Sequence, residues 1–249
     1  MKVSVITAVR NGAATIGATL ESVAEQAHPD IEHVVIDGAS SDQTVEIVRA
    51  SGRPLRLLSE PDCGVYDAFN KGLALSTGDV IGYLNCGDTY WSRDVVARVV
   101  ARFATTDVDA VFGDLVIVDP KDPSARARRY RSSRFRPSRL AYGFMPAHPT
   151  LFLRRRVYEN YGGYDASYRI AGDFEFVARI FGAGTLRYSC FEDVMVRMPR
   201  GGISTAGPQS NWIITREMKR ACDKNSIPTN FLKLILRFPI KLTEFLALG

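Results

Sequence analysis

Between Val3 and Leu84 one pattern recurs: a short run of apolar, mostly branched residues, a polar break, then apolar residues at helical spacing. The strand-like runs are Val3 to Val9, Ile31 to Ile36 and Leu55 to Leu58. They alternate with helical patterns over Ala13 to Ala27 (Ile16, Leu20 and Val23 on one face), through Val45, Ile47 and Val48 after Asp42, and over Val65 to Leu75. Strand–helix units at this spacing close as right-handed crossovers. They predict the α/β class, with a mostly parallel central sheet flanked by helices. A fourth run, Val80-Ile81-Gly82-Tyr83-Leu84, reads as the buried central strand.

Each strand ends in a polar cluster: Asn11 after the first; Asp37, Ser40 and Asp42 after the second; Glu60 and Asp62 after the third; Asn85 and Asp88 after the fourth. In open α/β sheets ligands bind beyond the carboxyl ends of the strands. Carboxylates there accept hydrogen bonds from ribose hydroxyls and base N–H groups. Asp, Ser and Gly also serve as plain turn and cap residues, so one loop alone decides nothing. Four of them on one edge of one sheet favour a nucleotide site. No Gly-x-Gly-x-x-Gly follows the first strand, and there is no Gly-Lys-Ser/Thr loop. A diphosphate held without a glycine cradle needs another counter-charge, which a divalent cation, Mg²⁺ or Mn²⁺, at Asp88 would supply.

Beyond Asp88 the pattern changes. Asp94 to Phe103 reads as a helix and Ala110 to Phe112 as a strand. Leu115 to Val118 and Arg128 to Arg131 are expected to pair as a hairpin, and Ala147 to Leu153 to be extended. Helices are predicted over Arg154 to Tyr161 and Asp173 to Phe181, and strands over Leu186 to Ser189 and Val194 to Met198. Two helices close the sequence, Pro208 to Lys224 and Thr229 to Leu248.

The excess charge matters more for its placement than its size, since the net is only +5 over 249 residues. Arg126, Arg128, Arg129, Arg131, Arg134, Arg136 and Arg139 share a segment without acids, interleaved with Tyr130 and Phe135. In the last helix Lys233, Arg237 and Lys241 recur at i, i+4 and i+8, with Leu234, Ile235, Phe238, Leu242 and Phe245 elsewhere and Pro239 as a kink. Both regions suit an anionic membrane surface, against the plainer readings of a solvated hairpin and a packed helix or dimer contact. No apolar run reaches the length of a membrane span, and the amino terminus carries no secretory pattern. The four cysteines, Cys63, Cys86, Cys190 and Cys222, show neither a Cys-x-x-Cys pair nor zinc spacing. They read as reduced thiols, so the expected location is cytoplasmic, peripheral on the inner face of the cell membrane.

Five ordered motifs carry a family resemblance: Val-Ile-Thr-Ala-Val-Arg-Asn (5–11), Val-Ile-Asp-Gly-Ala-Ser-Ser-Asp (35–42), Ser-Glu-Pro-Asp-Cys-Gly-Val-Tyr-Asp-Ala-Phe-Asn-Lys-Gly (59–72), Thr-Gly-Asp (77–79) and Leu-Asn-Cys-Gly-Asp (84–88). Together they resemble family 2 glycosyltransferases, more narrowly the colanic-acid-type, polysaccharide-building branch. The resemblance implies a GT-A fold, a Rossmann-like sheet with a smaller antiparallel element and C-terminal helices. It also implies a nucleotide-diphosphate sugar donor and an inverting transfer assisted by Mg²⁺ or Mn²⁺. The catalytic domain would be 1–200, with a donor half over 1–90 and an acceptor half over 91–200, followed by a helical extension over 207–249.

Carried over by residue, the resemblance puts Thr7, Ala8, Val9 and Asn11 along the nucleoside pocket, with Asp37 on base or ribose and Ser40 and Asp42 supporting its loop. Asp62 and Gly64 would lie near the base; Asp67, Asn70 and Lys71 would hold the next helix against the donor. Asp88 matches the last carboxylate of an Asp-x-Asp-like metal motif, with Asn85 and Gly87 where many relatives carry more acid. Asp173, in Ile170-Ala171-Gly172-Asp173-Phe174-Glu175-Phe176, matches the segment that supplies the general base, although its position also suits a helix cap. Glu175 is the fallback base. His148 matches a family histidine that contacts phosphate or acceptor, or is structural. The implied activity is transfer of one sugar to a lipid-linked or glycan acceptor in surface polysaccharide or glycolipid synthesis. A metal-dependent nucleotidyltransferase is the nearest alternative, and its usual basic, glycine-rich loop is poorly matched by Arg10-Asn11-Gly12-Ala13. Nucleic-acid binding through the arginine segment ranks last, because it leaves the four acidic loops unexplained.

Overall fold

The computed structural model describes residues 1–119, 128–201 and 208–237. Its elements are β1 (Val3–Val9), α1 (Ile16–Ala24), β2 (Ile31–Asp37), α2 (Thr44–Ala50), β3 (Leu55–Ser59), α3 (Val65–Leu75), β4 (Val80–Tyr83), β5 (Thr89–Tyr90) and α4 (Val95–Thr105). They continue with β6 (Ala110–Val118), β7 (Arg128–Tyr130), β8 (Phe152–Arg154), α5 (Arg155–Tyr161), α6 (Gly172–Gly182), β9 (Tyr188–Pro199), α7 (Pro208–Lys224) and α8 (Phe231–Ile235). The strands form one sheet in the order β3-β2-β1-β4-β8-β6-β9-β5, with β7 paired to β6. The first four are parallel: Val3 to Val9 pairs with Ile31 to Asp37, and Val3 to Ile6 with Val80 to Tyr83. β8 runs antiparallel to β4 and β6, while β9 returns parallel to β6. The mostly parallel sheet with a smaller antiparallel element that the resemblance implies is present, since β7 and β8 run antiparallel to their neighbours.

The apolar runs are near-continuous because both faces of the sheet are buried. Ile6, Val34, Ile36, Ile81 and Tyr83 point to the side covered by Phe69 of α3 and Phe174, Val177 and Phe181 of α6. Val3, Val5 and Val80 point to the other, against Val23 of α1 and Val96, Val99 and Phe103 of α4. Gly82 lets β8 close on β4: a Cβ there would lie 2.5 Å from the Phe152 ring.

The mixed half differs from expectation in three places. The predicted hairpin forms, with Leu115 opposite Tyr130 and Ile117 opposite Arg128, but β6 runs unbroken from Ala110. The two strands expected over Leu186 to Met198 are one strand, β9, whose register slips opposite Phe112 to Leu115. Glu192 and Asp193 are exposed at that irregularity, so the apolar pattern breaks while the backbone continues. The stretch expected to be extended holds a 3₁₀ turn at His148–Thr150 before β8. The arginine segment continues from β7 into 3₁₀ turns at Ser132–Arg134 and Pro137–Tyr142; Arg126 lies outside the described residues.

The closing helices need one correction. Arg237 does not share a solvent stripe with Lys233: it is 2% exposed and donates to Thr215 Oγ1 at 2.9 Å and to the Leu234 carbonyl at 3.3 Å. A periodic stripe gives relative positions, and here Leu234 and Arg237 turn inward. Phe231, Leu232, Ile235 and Leu236 turn out. Phe238, Pro239, Lys241, Leu242 and Phe245 lie outside the described residues. No helix among the described residues is long and apolar enough to cross a membrane.

Candidate active site

The loops after β1, β2, β3 and β4 leave one edge of the sheet, and strand order reverses between β1 and β4. Asn11 takes a left-handed conformation (φ 52°), which asparagine tolerates, and its Oδ1 accepts the Ser41 N–H at 2.9 Å. Its own N–H donates to Ser40 Oγ at 2.7 Å. Ser40 donates its hydroxyl to Asp37, and the same carboxylate accepts the Ser40 N–H at 3.0 Å and the Ser59 hydroxyl at 2.7 Å. Asp42 accepts N–H groups of Ala13 and Thr44, each at 3.0 Å. Asp37, Ser40 and Asp42 thus lock three strand-end loops into one frame.

Thr7 is fully buried and donates to the Leu84 carbonyl at 2.8 Å, so the His33 Nε2 at 3.0 Å is assigned as the N–H donor to it. Burial pulls His33 down to about 4, keeping it neutral. Val9 is also buried and Ala8 half-buried, so these residues build the floor beneath the edge.

Gly38 and Asp62 meet across the mouth: a Cβ on Gly38 would stand 2.2 Å from Asp62 Oδ2. The other Asp62 oxygen accepts the Gly64 N–H at 3.0 Å, and Gly64 has the positive φ of 122° that opens α3. Asp67 accepts the Cys63 N–H at 3.0 Å, and Lys71 ties Glu60 at 2.9 Å to Asp67 at 3.4 Å. Asn70 faces the other way: its amide pairs with both the carbonyl and the N–H of Tyr164, each at 2.8 Å. It anchors α3 to the chain at Tyr164, between α5 and α6.

Asp88 lies at the end of β4, 3% exposed, with Oδ2 lacking any partner among the described residues. Burial pushes its carboxyl up to about 7, against hydrogen bonds from Asn85. The Thr19 hydroxyl accepts from the Gly87 N–H at 2.9 Å and donates to the Asp88 carbonyl at 3.0 Å, which fixes the loop. A buried carboxylate with one orphaned oxygen fits a divalent cation, which would satisfy that oxygen and favour the ionised form. No cluster of three acidic, histidine or cysteine side chains occurs among the described residues. Donor oxygens and water would therefore complete the shell.

Asp173 is half-buried in the first turn of α6. One oxygen accepts the Phe174 N–H at 2.7 Å and lies 3.4 Å from the Tyr66 phenol, whose proton goes to the Ile170 carbonyl. Burial pushes Asp173 up to about 6; bonds from Phe174 and Tyr66 oppose this and the Glu217 charge adds to it. Glu175, the fallback, is fully buried and paired with Arg179 and Lys224, both at 3.0 Å. His148 accepts or donates to the Tyr164 phenol at 2.8 Å and stacks on Phe69 at 5.3 Å. Burial holds it down near 4, so it is a neutral member of an aromatic wall with Phe69, Tyr83 and Tyr164. Sequence reading missed Tyr66, although it lies inside the quoted 59–72 motif.

The sequence model of the family described as Glycosyl transferase family 2 matches residues 4–162. A PGL/p-HBAD biosynthesis glycosyltransferase of Mycobacterium bovis is 33% identical over 184 residues, 72% of this chain and 69% of the relative. A TarS fragment from S. aureus, solved in complex with UDP, superposes with TM-score 0.70 at 19% identity, over 89% of this chain and 65% of that one. The mannosyltransferase PcManGT from Pyrobaculum calidifontis, solved with GDP-Man and Mn²⁺, gives TM-score 0.69 at 22% identity, over 99% and 73%. At such identities the two structures speak to the fold alone, and this chain spans under two thirds of the TarS fragment.

Proposed function

The chain belongs to glycosyl transferase family 2, and on that premise we propose that it is an inverting enzyme, moving one sugar from a nucleotide-diphosphate donor to a lipid-linked or glycan acceptor. The observation that carries this reading is the contact of Tyr66 with Asp173 and Ile170, which joins the first turn of α3, on the donor side, to a half-buried carboxylate on α6. Residues 1–90 then serve the donor, 91–200 the acceptor, and 207–249 form a helical extension.

The nucleoside would lie over the frame built by Asn11, Asp37, Ser40 and Asp62, with Gly64, Asp67 and Lys71 shaping the start of α3. Asp88, with Asn85 beside it, would hold Mg²⁺ or Mn²⁺; when bound, that ion supplies positive charge against the leaving diphosphate. Asp173 takes the proton of the acceptor hydroxyl. The acceptor oxygen bonds to the anomeric carbon while the bond from that carbon to the diphosphate oxygen breaks, and the diphosphate leaves with the electron pair. Attack from the opposite face gives inversion. Asn70 is an anchor between the halves in this scheme, and His148 a wall residue.

Curated relatives 33% identical to this chain carry names in PGL/p-HBAD biosynthesis, which supports a glycolipid or surface-polysaccharide product. A location on the cytoplasmic face of the membrane, held there peripherally, agrees with the arginine segment and with the apolar face that α8 turns outward. No role for nucleic acid is proposed.

Calorimetric titration of UDP, GDP and dTDP, with and without Mn²⁺, on wild type and Asp88→Asn, tests the reading. One nucleotide is expected to bind in a metal-dependent manner that the variant loses. Binding indifferent to metal and to Asp88 would remove the metal role; no binding of any of the three would remove the donor site.

A further inference from the structure

α7 is a polar helix outside the residues matched by the family model, and one of its faces is zipped onto the loop that leads to Asp173. Lys224 reaches Asp165 at 2.8 Å and Glu175 at 3.0 Å. Arg220 donates to Ser167 Oγ at 2.7 Å and lies over the Tyr168 ring at 4.3 Å. Glu217 accepts three successive backbone N–H groups: Arg169 on one oxygen at 2.8 Å, then Ile170 at 2.9 Å and Ala171 at 2.7 Å on the other. Positions 217, 220 and 224 share one helical face, and their partners follow the loop in reverse order. Ala171 caps α6, so the Glu217 carboxylate also sits at that helix's positive end.

Two residues on different elements therefore fix the Ile170 peptide units: Glu217 holds its N–H, and Tyr66 holds its carbonyl. Three residues further along the chain is Asp173. A carboxylate that must meet an acceptor hydroxyl within hydrogen-bond range gains from a support of this kind, because small misplacements cost orders of magnitude in rate. We propose that Glu217 is the positioning residue of the acceptor-side base, and that α7 is a working part of the catalytic unit rather than an appendage to it. This rests on the reading of Asp173 as the base. Glu217 does not meet the reacting atoms; it acts through the 169–171 backbone.

Three bonds from one carboxylate cannot be copied by alanine and are copied in part by glutamine, whose single carbonyl oxygen can keep some of them. The test uses the full chain and two readouts. Hydrogen exchange followed by mass spectrometry reports peptides across 165–176. Nucleoside diphosphate release from UDP-GlcNAc and GDP-mannose, with calorimetry of the matching diphosphate, reports turnover and donor affinity. Glu217→Ala is expected to speed exchange at 169–174 by about tenfold or more. Turnover should fall about 10- to 100-fold with donor affinity unchanged. Glu217→Gln should recover part of both. Lys219→Ala, which breaks only the pair with Asp223 on the same helix, should behave as wild type. Wild-type exchange over 165–176 in Glu217→Ala overturns the proposal, as does full turnover in Glu217→Ala where Asp173→Asn is inactive. Normal turnover in Asp173→Asn would instead fail the base reading, and the positioning role falls with it whatever the exchange shows.

Discussion

The phenol of Tyr66, in the first turn of α3, donates to the carbonyl of Ile170 and stands 3.4 Å from an oxygen of Asp173. Its ring is closed in by Phe69 at 6.0 Å and Tyr164 at 5.9 Å, and leaves no room for a Cβ on Gly172, which would lie 2.7 Å from it. One side chain thus registers the first turn of α3 against the start of α6. Tyr66→Phe keeps that packing and removes only the hydroxyl. It should cost about 1 to 2 kcal/mol of stability, the loss of one hydrogen bond to a part-buried carbonyl. Turnover should fall roughly tenfold, with donor KM unchanged, if registry matters as much as the geometry suggests. Denaturant unfolding with steady-state kinetics checks both; unchanged turnover would reduce Tyr66 to a packing residue.

A base must be ionised to accept a proton, and burial holds Asp173 up near 6. Turnover should therefore rise with pH through about 6 and level off above it. The same shift makes the folded state bind a proton more tightly than the unfolded chain. Its stabilising contribution is full below the unfolded value of 3.8 and lost as pH rises through about 6. His33 and His148, both held down near 4, act in the opposite sense: their contribution is present above 6.5 and lost as pH falls toward 4. Asp88, held up to about 7, works in the same sense as Asp173, so two histidines oppose two carboxylates. Stability of the metal-free protein between pH 4 and 6.5 should accordingly change little in wild type and rise more steeply with pH in Asp173→Asn. A pH–turnover profile without a limb near 6 would count against Asp173 as the base.

A Cβ on Gly38 would stand 2.2 Å from Asp62 Oδ2, so Gly38→Ala must displace Asp62. Gly38 is buried and Asp62 half-buried, so the added methyl overpacks the loop and stability should fall by about 1 to 3 kcal/mol. Nucleotide affinity should weaken about tenfold if Asp62 contacts the nucleoside, roughly one lost charge-assisted hydrogen bond. Calorimetry against the nucleotide that wild type prefers decides it. An unchanged Kd means that Asp62 serves the loop and not the ligand.

The parallel half was legible because a sheet buried on both faces demands unbroken apolar runs, and Val3 to Val9, Ile31 to Ile36 and Val80 to Leu84 supply them. β9 was not legible as one strand, since Glu192 and Asp193 are exposed in mid-strand where the register slips. β5 is a dipeptide, too short for any periodicity. Among the site residues, Asp88 and Asp173 carried local motifs, whereas Glu217 looks like any glutamate on a polar helix. Its partners are 46 to 48 residues earlier, and they are backbone N–H groups that any sequence could provide. Arg237 shows the limit of a helical stripe, which places residues relative to each other but not against the core.

The outward face of α8 bears on where the enzyme works. Leu232 is 68% exposed and Trp212 is 55% exposed, with Trp212 stacked on Phe231 at 5.8 Å. Ile235, Leu236 and Tyr142 add to the same patch, and Lys233 lies 5.8 Å from the Tyr142 ring. The turn that carries Tyr142 also carries Arg139 and follows the exposed Arg134 and Arg136. Apolar side chains of this size gain about 1.5 to 3 kcal/mol each when taken from water, and each cation near an anionic leaflet about 1 kcal/mol. On the peripheral location proposed above, an anionic membrane would be the surface that meets both demands. Trp212→Ser with Leu232→Ser should therefore weaken binding to phosphatidylserine-containing vesicles by about 10- to 100-fold, with folding intact because neither side chain is buried. Arg134→Glu with Arg136→Glu should weaken it on those vesicles and leave the residual binding to neutral vesicles as it was. Vesicle binding that neither pair alters would place the membrane contact elsewhere on the chain or remove it.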